Sequence, residues 1–135
     1  MKINTKIRYG LRMLIAIAQG GALINTTELG ERMQVSPKYL RKLAGPLEKA
    51  GLIESVQGIY GGYRLARPAG EIAMKSLLDA FGETISFAHC LLGSPCPLKE
   101  SCQARQVWQM LDQTLRQNFL PVTLADILAG KVRRP

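Results

Sequence analysis

"SPKYLRKLAGPLEKAGLIESVQGIYGGYRLARP", Ser36 to Pro68, sets two periodicities end to end. In its first half Leu40, Leu43, Leu47 and Ala50 recur at helical spacing, which places them on one face of a helix and leaves Lys38, Tyr39, Arg41 and Lys42 outside it. Ser36 is a good N-cap, and Pro37 suits the first turn, where a missing N–H costs nothing. Gly45-Pro46 predicts a kink or break after Ala44, because an interior proline removes a backbone bond at about 3 kcal/mol. In the second half "LIESV" and "YRLAR" read as strands joined by "QGIYGG", whose glycines permit positive backbone angles at the bend.

Working back toward the N-terminus, Ile7, Leu11, Leu14, Ile15 and Ala18 predict an amphipathic helix that Gly20-Gly21 stops. Asn25 predicts the cap of a second helix, with Glu28 bonding back three residues later, and Leu29 and Met33 as its apolar positions. The short connection "QVS" then leads into the helix at Pro37. A helix-turn-helix followed directly by a hairpin is a winged helix. Such a domain reads the major groove with the first turns of its second helix and lays its wing along phosphates or into the minor groove. The candidate DNA contacts are therefore Lys38, Tyr39, Arg41 and Lys42 on the helix, and Gln57, Tyr60 and Arg64 on the wing, with Arg67 at its flank.

Charge supports the same half of the chain. The 135 residues carry a net +8, and residues 1–67 hold eleven Lys and Arg against four acids, whereas the remainder is nearly balanced. An apolar fraction of 47% with 21% charged residues is that of a folded chain. No run reaches the eighteen or more apolar residues of a membrane span, and Leu11–Ala18 is interrupted by Arg12, so no signal peptide is read and a cytoplasmic address is expected.

Downstream, Pro68 ends the hairpin and "EIAMKSLLDAFG" predicts a connecting helix with Ile72, Leu77, Leu78 and Phe81 inward. Val107, Trp108, Leu111, Leu115 and Phe119 form an apolar stripe on a further long helix, with Arg105, Gln109, Asp112 and Arg116 outside it. A helix of this length does not bury its stripe on a small domain alone, so it is assigned to a dimer interface, with the monomer's own core as the alternative. Thr123 and Asp126 predict a capping pair for a last helix, Leu124 to Leu128, before the basic tail "KVRRP". The expected architecture is mainly α with a small β-hairpin wing: a winged helix-turn-helix domain with its connecting helix over 1–82, and a cysteine loop (90–102) plus dimerisation helix over 83–135.

All three cysteines lie in "CLLGSPCPLKESC", six residues apart at Cys90, Cys96 and Cys102. On a continuous helix that spacing would point the sulfurs in separate directions, so convergence demands a loop, which Gly93, Pro95 and Pro97 supply. An odd thiol count in a reducing compartment is a poor disulfide scaffold. Soft thiolates suit an iron–sulfur cluster, zinc or cuprous copper, and simple core or free thiols stand as the alternative. Paired carboxylates, a nucleophile–histidine set and a phosphate loop are not apparent, so an enzyme is not expected.

With these segments on the page, the chain resembles the Rrf-type winged-helix transcription regulators. "KIRYGLRML", "SPKYLRKLAGPLEKAGLI", "SVQGIYGGYRLARP", the three spaced cysteines and "VTLADIL" carry the likeness over nearly the whole length. The resemblance implies a homodimer, paired through a long C-terminal helix, that binds a partly palindromic operator in double-stranded DNA. In cluster-binding branches it implies an iron–sulfur cluster, 2Fe-2S or 4Fe-4S, held at Cys90, Cys96 and Cys102. It implies a regulator, by expectation a repressor, that senses iron–sulfur status, redox state or nitric oxide. A zinc- or thiol-based regulator without a cluster is the nearest alternative, and a cluster carrier without DNA affinity a more distant one.

The chain departs from that pattern at four positions. Where one branch has a ligand histidine three residues after the last cysteine stands Arg105, and where another has a ligand aspartate near the N-terminus stands Arg8; neither is a normal metal ligand. His89, the lone histidine, is the candidate fourth ligand beside Glu100, Ser101, a partner carboxylate, water or a small thiol. Gln57 stands where wings of the family commonly carry arginine, and Arg41 where one relative has glutamate, so no operator preference transfers.

Overall fold

A computed structural model describes residues 2–132; the end of the basic tail, 133–135, lies outside the described residues. The first helix, α1 (Thr5–Gln19), starts where the Asn4 side chain accepts the Lys6 N–H at 2.8 Å and stops at Gly20. Its core face is broader than the expected stripe. Met13, Ala16 and Ile17 join Ile7 and Leu14 as buried residues, while Leu11, Ile15 and Ala18 are only half-buried. The reason is its central position: helices and strands pack on it from several sides, so no single apolar stripe defines its inside.

The second helix, α2 (Thr26–Met33), is capped as expected by Asn25, whose side-chain oxygen accepts the Glu28 N–H at 2.8 Å. The return half of that cap is replaced: the Glu28 carboxylate instead takes Arg32, one turn on, at 2.7 Å. Gln34 then adopts φ +54°, a left-handed residue that ends α2 and turns the chain into the third helix. In that helix, α3 (Pro37–Lys49), the Ser36 hydroxyl accepts the Tyr39 N–H at 3.1 Å.

The break expected after Ala44 does not occur, and α3 runs unbroken through Pro46. The carbonyl that loses its donor belongs to Lys42, on the exposed side where water can serve it, and buried Leu43, Ala44 and Leu47 anchor the helix on either side of the proline.

Strands β1 (Ile53–Val56) and β2 (Gly62–Leu65) form an antiparallel hairpin with Ile53 opposite Leu65 and Val56 opposite Gly62. The hairpin is seated on the helices by an isolated bridge in which Ile24 and Tyr63 exchange backbone hydrogen bonds of 3.0 and 2.8 Å. That seat needs a glycine beside it, since a Cβ on Gly62 would collide with the Ile24 carbonyl. The result is the expected mainly α fold with a small β wing.

After a short 3-10 turn (Ala69–Glu71) comes α4 (Met74–Ala80), with Ile72, Leu77 and Leu78 buried as expected and Phe81 half-buried. A second 3-10 turn (His89–Leu91) opens the cysteine loop, and α5 (Gln103–Asn118) follows it. The last helix, α6 (Leu124–Leu128), begins with the expected reciprocal cap between Thr123 and Asp126. Packing crosses the expected boundary at residue 82. The Met74 N–H donates to the Val122 carbonyl and the Leu124 N–H to the Ile72 carbonyl, both at 2.8 Å, and Leu124 is buried in the shared core. Among the described residues no helix is long and apolar enough to cross a membrane.

Candidate nucleic-acid interface and thiol loop

The buried face of α3 fixes its other face. With Leu40, Leu43, Ala44 and Leu47 inside, Lys38, Arg41 and Lys42 project to solvent, and among the described residues none of the three makes an ion pair. Tyr39 behaves differently from its expected companions. It is half-buried at the α1–α3 seam, its ring meeting that of Tyr9 edge-on with centroids 5.6 Å apart, and the Arg12 guanidinium covers Tyr9 at 5.4 Å.

On the wing, Gln57 is exposed and Tyr60 is 91% exposed at the tip. Arg64 is not a free cation: its Nε donates to the Glu54 carboxylate across the hairpin at 2.9 Å. Arg67 is also held, donating to the Gly51 carbonyl just beyond α3 at 3.1 Å. An open polar concavity of about 710 Å³ lies between the wing, α3 and the start of α2, and brings Arg41 and Gln57 together. Lys38, Lys42, Tyr60 and Arg64 are not part of its lining. Asn25, Thr26 and Thr27 are, and sequence reasoning missed them because the Asn25 cap already gave that segment a structural role. Buried Tyr63 forms part of the wall; burial foremost and then Glu48 raise its phenol above the ordinary value, against the opposing pull of Arg41, so it stays protonated.

The cysteine loop is a chain of tight turns. Leu91 and Leu92 donate back to Ala88 and His89, both at 3.0 Å, and Lys99 and Ser101 to Cys96 and Leu98 at 3.2 and 3.0 Å. Cys90, Cys96 and Cys102 are all unbridged and half-buried, and His89 is exposed. Cys102 stands at the N-cap of α5 with its side chain making no capping bond, so its sulfur is free beside the positive end of the helix. Among the described residues, no three of the His, Cys, Asp and Glu side chains are gathered as a metal-binding set.

Arg105 departs from its expectation. Read as lying outside the apolar stripe, it is the one residue of 103–110 that is half-buried, and its Nε is buried without a hydrogen-bond partner. The guanidinium is only half-buried, and the unpaired N–H is a donor that an anion held by the nearby thiols could use. Three free thiols and that donor together fit a thiolate-held, negatively charged group. Beyond Arg105, α5 buries nothing: Val107 and Trp108 are 51% and 41% exposed, and Leu111 and Leu115 are half-buried.

Residues 3–130 match the model of a family described as Rrf2, iron-dependent transcriptional regulator. Protein rrf2 of Nitratidesulfovibrio vulgaris is 35% identical over 95% of this chain and 87% of its own length. The HTH-type transcriptional regulator IscR of Cereibacter sphaeroides is 33% identical over 98% of this chain and 90% of its own. Among solved structures, CymR, the global cysteine regulator of B. subtilis, is similar with a TM-score of 0.78 at 28% identity, over 96% of this chain and 98% of that one.

Proposed function

The chain belongs to the Rrf2 family of transcriptional regulators, a family of regulators and not of enzymes, and from that premise we propose that it is a homodimer whose grip on operator DNA is set by an iron–sulfur cluster at Cys90, Cys96 and Cys102. The observation that carries this reading is the placing of three unbridged thiols in the loop that leads into α5, with the unpaired Arg105 Nε in the first turn of that helix.

Each part of the chain has a role in it. Lys38, Arg41 and Lys42 meet phosphates or guanine edges from α3, with Tyr39, held against Tyr9, as the fourth contact of the same helix. Gln57, Tyr60 and Arg64 approach from the wing. Val107, Trp108, Leu111 and Leu115 are covered by the same stripe of a second copy, which sets two winged domains on two half-sites. The cysteines supply thiolates, with His89 as the candidate fourth protein ligand, and the cluster supplies redox and ligand-exchange chemistry when bound. Because the loop joins the winged unit to α5, a change in what the thiols hold alters how the two domains are spaced. Such a change acts only through a difference in binding energy between the two arrangements.

Iron, sulfide and zinc analysis of anaerobically purified protein tests this reading, together with mobility shifts of loaded and cluster-free forms. Iron and sulfide in near-equal amounts, with DNA affinity differing between the forms, are expected. A second reading, a zinc- or thiol-based regulator, rests on the same three unbridged cysteines and differs in what they hold. Zinc without sulfide, or neither with DNA control intact, selects it.

A further inference from the structure

The wing ends in an unusual pair. The Gly61 N–H donates to the Gly58 carbonyl at 3.0 Å, closing a tight turn whose two corner residues are Ile59 and Tyr60. Gly58, at φ +108°, adopts the backbone angle that lets the strand enter that turn. Corner positions drive both side chains outward, leaving Ile59 95% and Tyr60 91% exposed. A β-branched apolar residue in that state contributes nothing to folding, and polar residues are the ordinary occupants of such corners.

The wing also lacks the charge that would hold it to a polyanion. Arg64 is the sole Lys or Arg from Ile53 to Leu65, and its Nε is engaged by Glu54 at 2.9 Å. Gln57 is neutral. The unpaired cations sit instead on α3, with Arg41 across the polar concavity that Ile59 also lines. Positive charge thus faces the wing from α3, and its tip carries none. We propose, resting on the DNA-binding reading above, that Ile59 with Tyr60 beside it is an apolar wedge seated in the minor groove of duplex DNA, against sugars and a partly unstacked base step. The recognition helix supplies the electrostatic attachment, and the wing supplies a contact that salt does not screen.

The test uses the full-length protein and a duplex enriched by it from a random pool, with a fluorescent adenine analogue placed in turn at the steps flanking each half-site. Wild-type binding is expected to raise the analogue's fluorescence at one step. Ile59→Ala should abolish that rise and weaken binding by about tenfold, a loss in the range of disrupted base contacts, while the slope of log affinity against log salt is unchanged. Arg41→Gln should lower that slope by about one. Because the Ile59 side chain is almost fully exposed in the folded protein, its removal is expected to leave the fold intact, and a circular dichroism melt checks this. If Ile59→Ala binds like the wild type with the same fluorescence while Arg41→Gln shows the lowered salt slope, the wedge is overturned and the DNA reading stands. If no duplex is enriched, both are overturned.

Discussion

Tyr39 meets Tyr9 edge-on, with ring centroids 5.6 Å apart and planes at 87°. The geometry sets the positive edge of one ring on the negative face of the other, and such pairs contribute about 0.5–1.5 kcal/mol beyond the area they bury. It also ties the exposed first turn of α3 to the central helix, so the orientation of Lys38, Arg41 and Lys42 depends on α1. A double-mutant cycle with Tyr9→Leu and Tyr39→Leu should give a coupling of about 1 kcal/mol in denaturant melts. Tyr39→Phe should keep the stability, and any fall in DNA affinity then isolates the hydroxyl. A coupling near zero would mean that the two rings merely touch.

Gly62 decides whether the wing is seated. Any Cβ there meets the Ile24 carbonyl, so β2 must lift from Ile24 and surrender the pair of hydrogen bonds between Ile24 and Tyr63. Gly62→Ala is expected to destabilise by about 1–3 kcal/mol, the range for a forced backbone shift beside a core residue. Hydrogen exchange at the Ile24 and Tyr63 amides should rise ahead of exchange in α1. Protection equal to the wild type at both amides would refute the seat.

Local rules carried much of the fold, and packing the remainder. Ser36, Pro37 and the Leu40–Leu43–Leu47 period state α3 almost completely, because caps and periodicity act within a few residues. The breadth of α1's buried face, the left-handed Gln34 and the return of residues 120–124 onto α4 are set by contacts distant in sequence, which periodicity does not contain. The unbroken α3 is of the same kind, since anchors on both sides of Pro46 outweigh its local penalty. At the candidate interface, exposure of Lys38, Arg41 and Lys42 follows from the helix period. The half-burial of Arg105, the seam position of Tyr39 and the pairing of Arg64 with Glu54 required coordinates. Ile59 escaped notice because nothing in an apolar letter between glycines says that it points into water.

Freeing Arg64 should strengthen DNA binding. Glu54 holds it at 2.9 Å, with both side chains about half exposed, at 52% and 49%, so the pair adds only about 0–1 kcal/mol to stability. Glu54→Gln removes a negative charge from the wing and releases a cation toward phosphate. Affinity should rise a few-fold at low salt, the log–log salt slope should steepen by up to about one, and the melting temperature should barely move. Unchanged affinity would place Arg64 away from the DNA.

The α5 stripe can be broken without touching the core, since none of its residues is buried within one chain. Trp108→Asp and Leu111→Asp should each shift sedimentation from dimer to monomer at micromolar concentration while leaving helical content and the Ile24–Tyr63 seat unchanged. Losing the second winged domain also removes the effective concentration it confers, so operator affinity should drop by about a hundredfold. A charged variant that stays dimeric would assign the contact to another surface.

Acid should loosen the last helix through a single carboxyl. The Thr123 N–H donates to Asp126 at 3.0 Å and the Asp126 N–H to the Thr123 hydroxyl at 3.1 Å. The hydrogen bond from the Thr123 backbone foremost, then its side chain, and Lys131 in lesser measure, hold the Asp126 carboxyl below its ordinary value against a small opposing effect of burial. A carboxylate depressed in the folded state stabilises above its unfolded value, and that contribution disappears as pH falls through the folded one. Asp126→Ala should therefore be less stable than the wild type at neutral pH, and the gap should close in acid, below the carboxylate range. The variant should also release Leu124 from the core first, seen as faster exchange at the Leu124 amide, which donates to Ile72. A gap of constant size from neutral pH into acid would show that Asp126 acts by packing and not by charge.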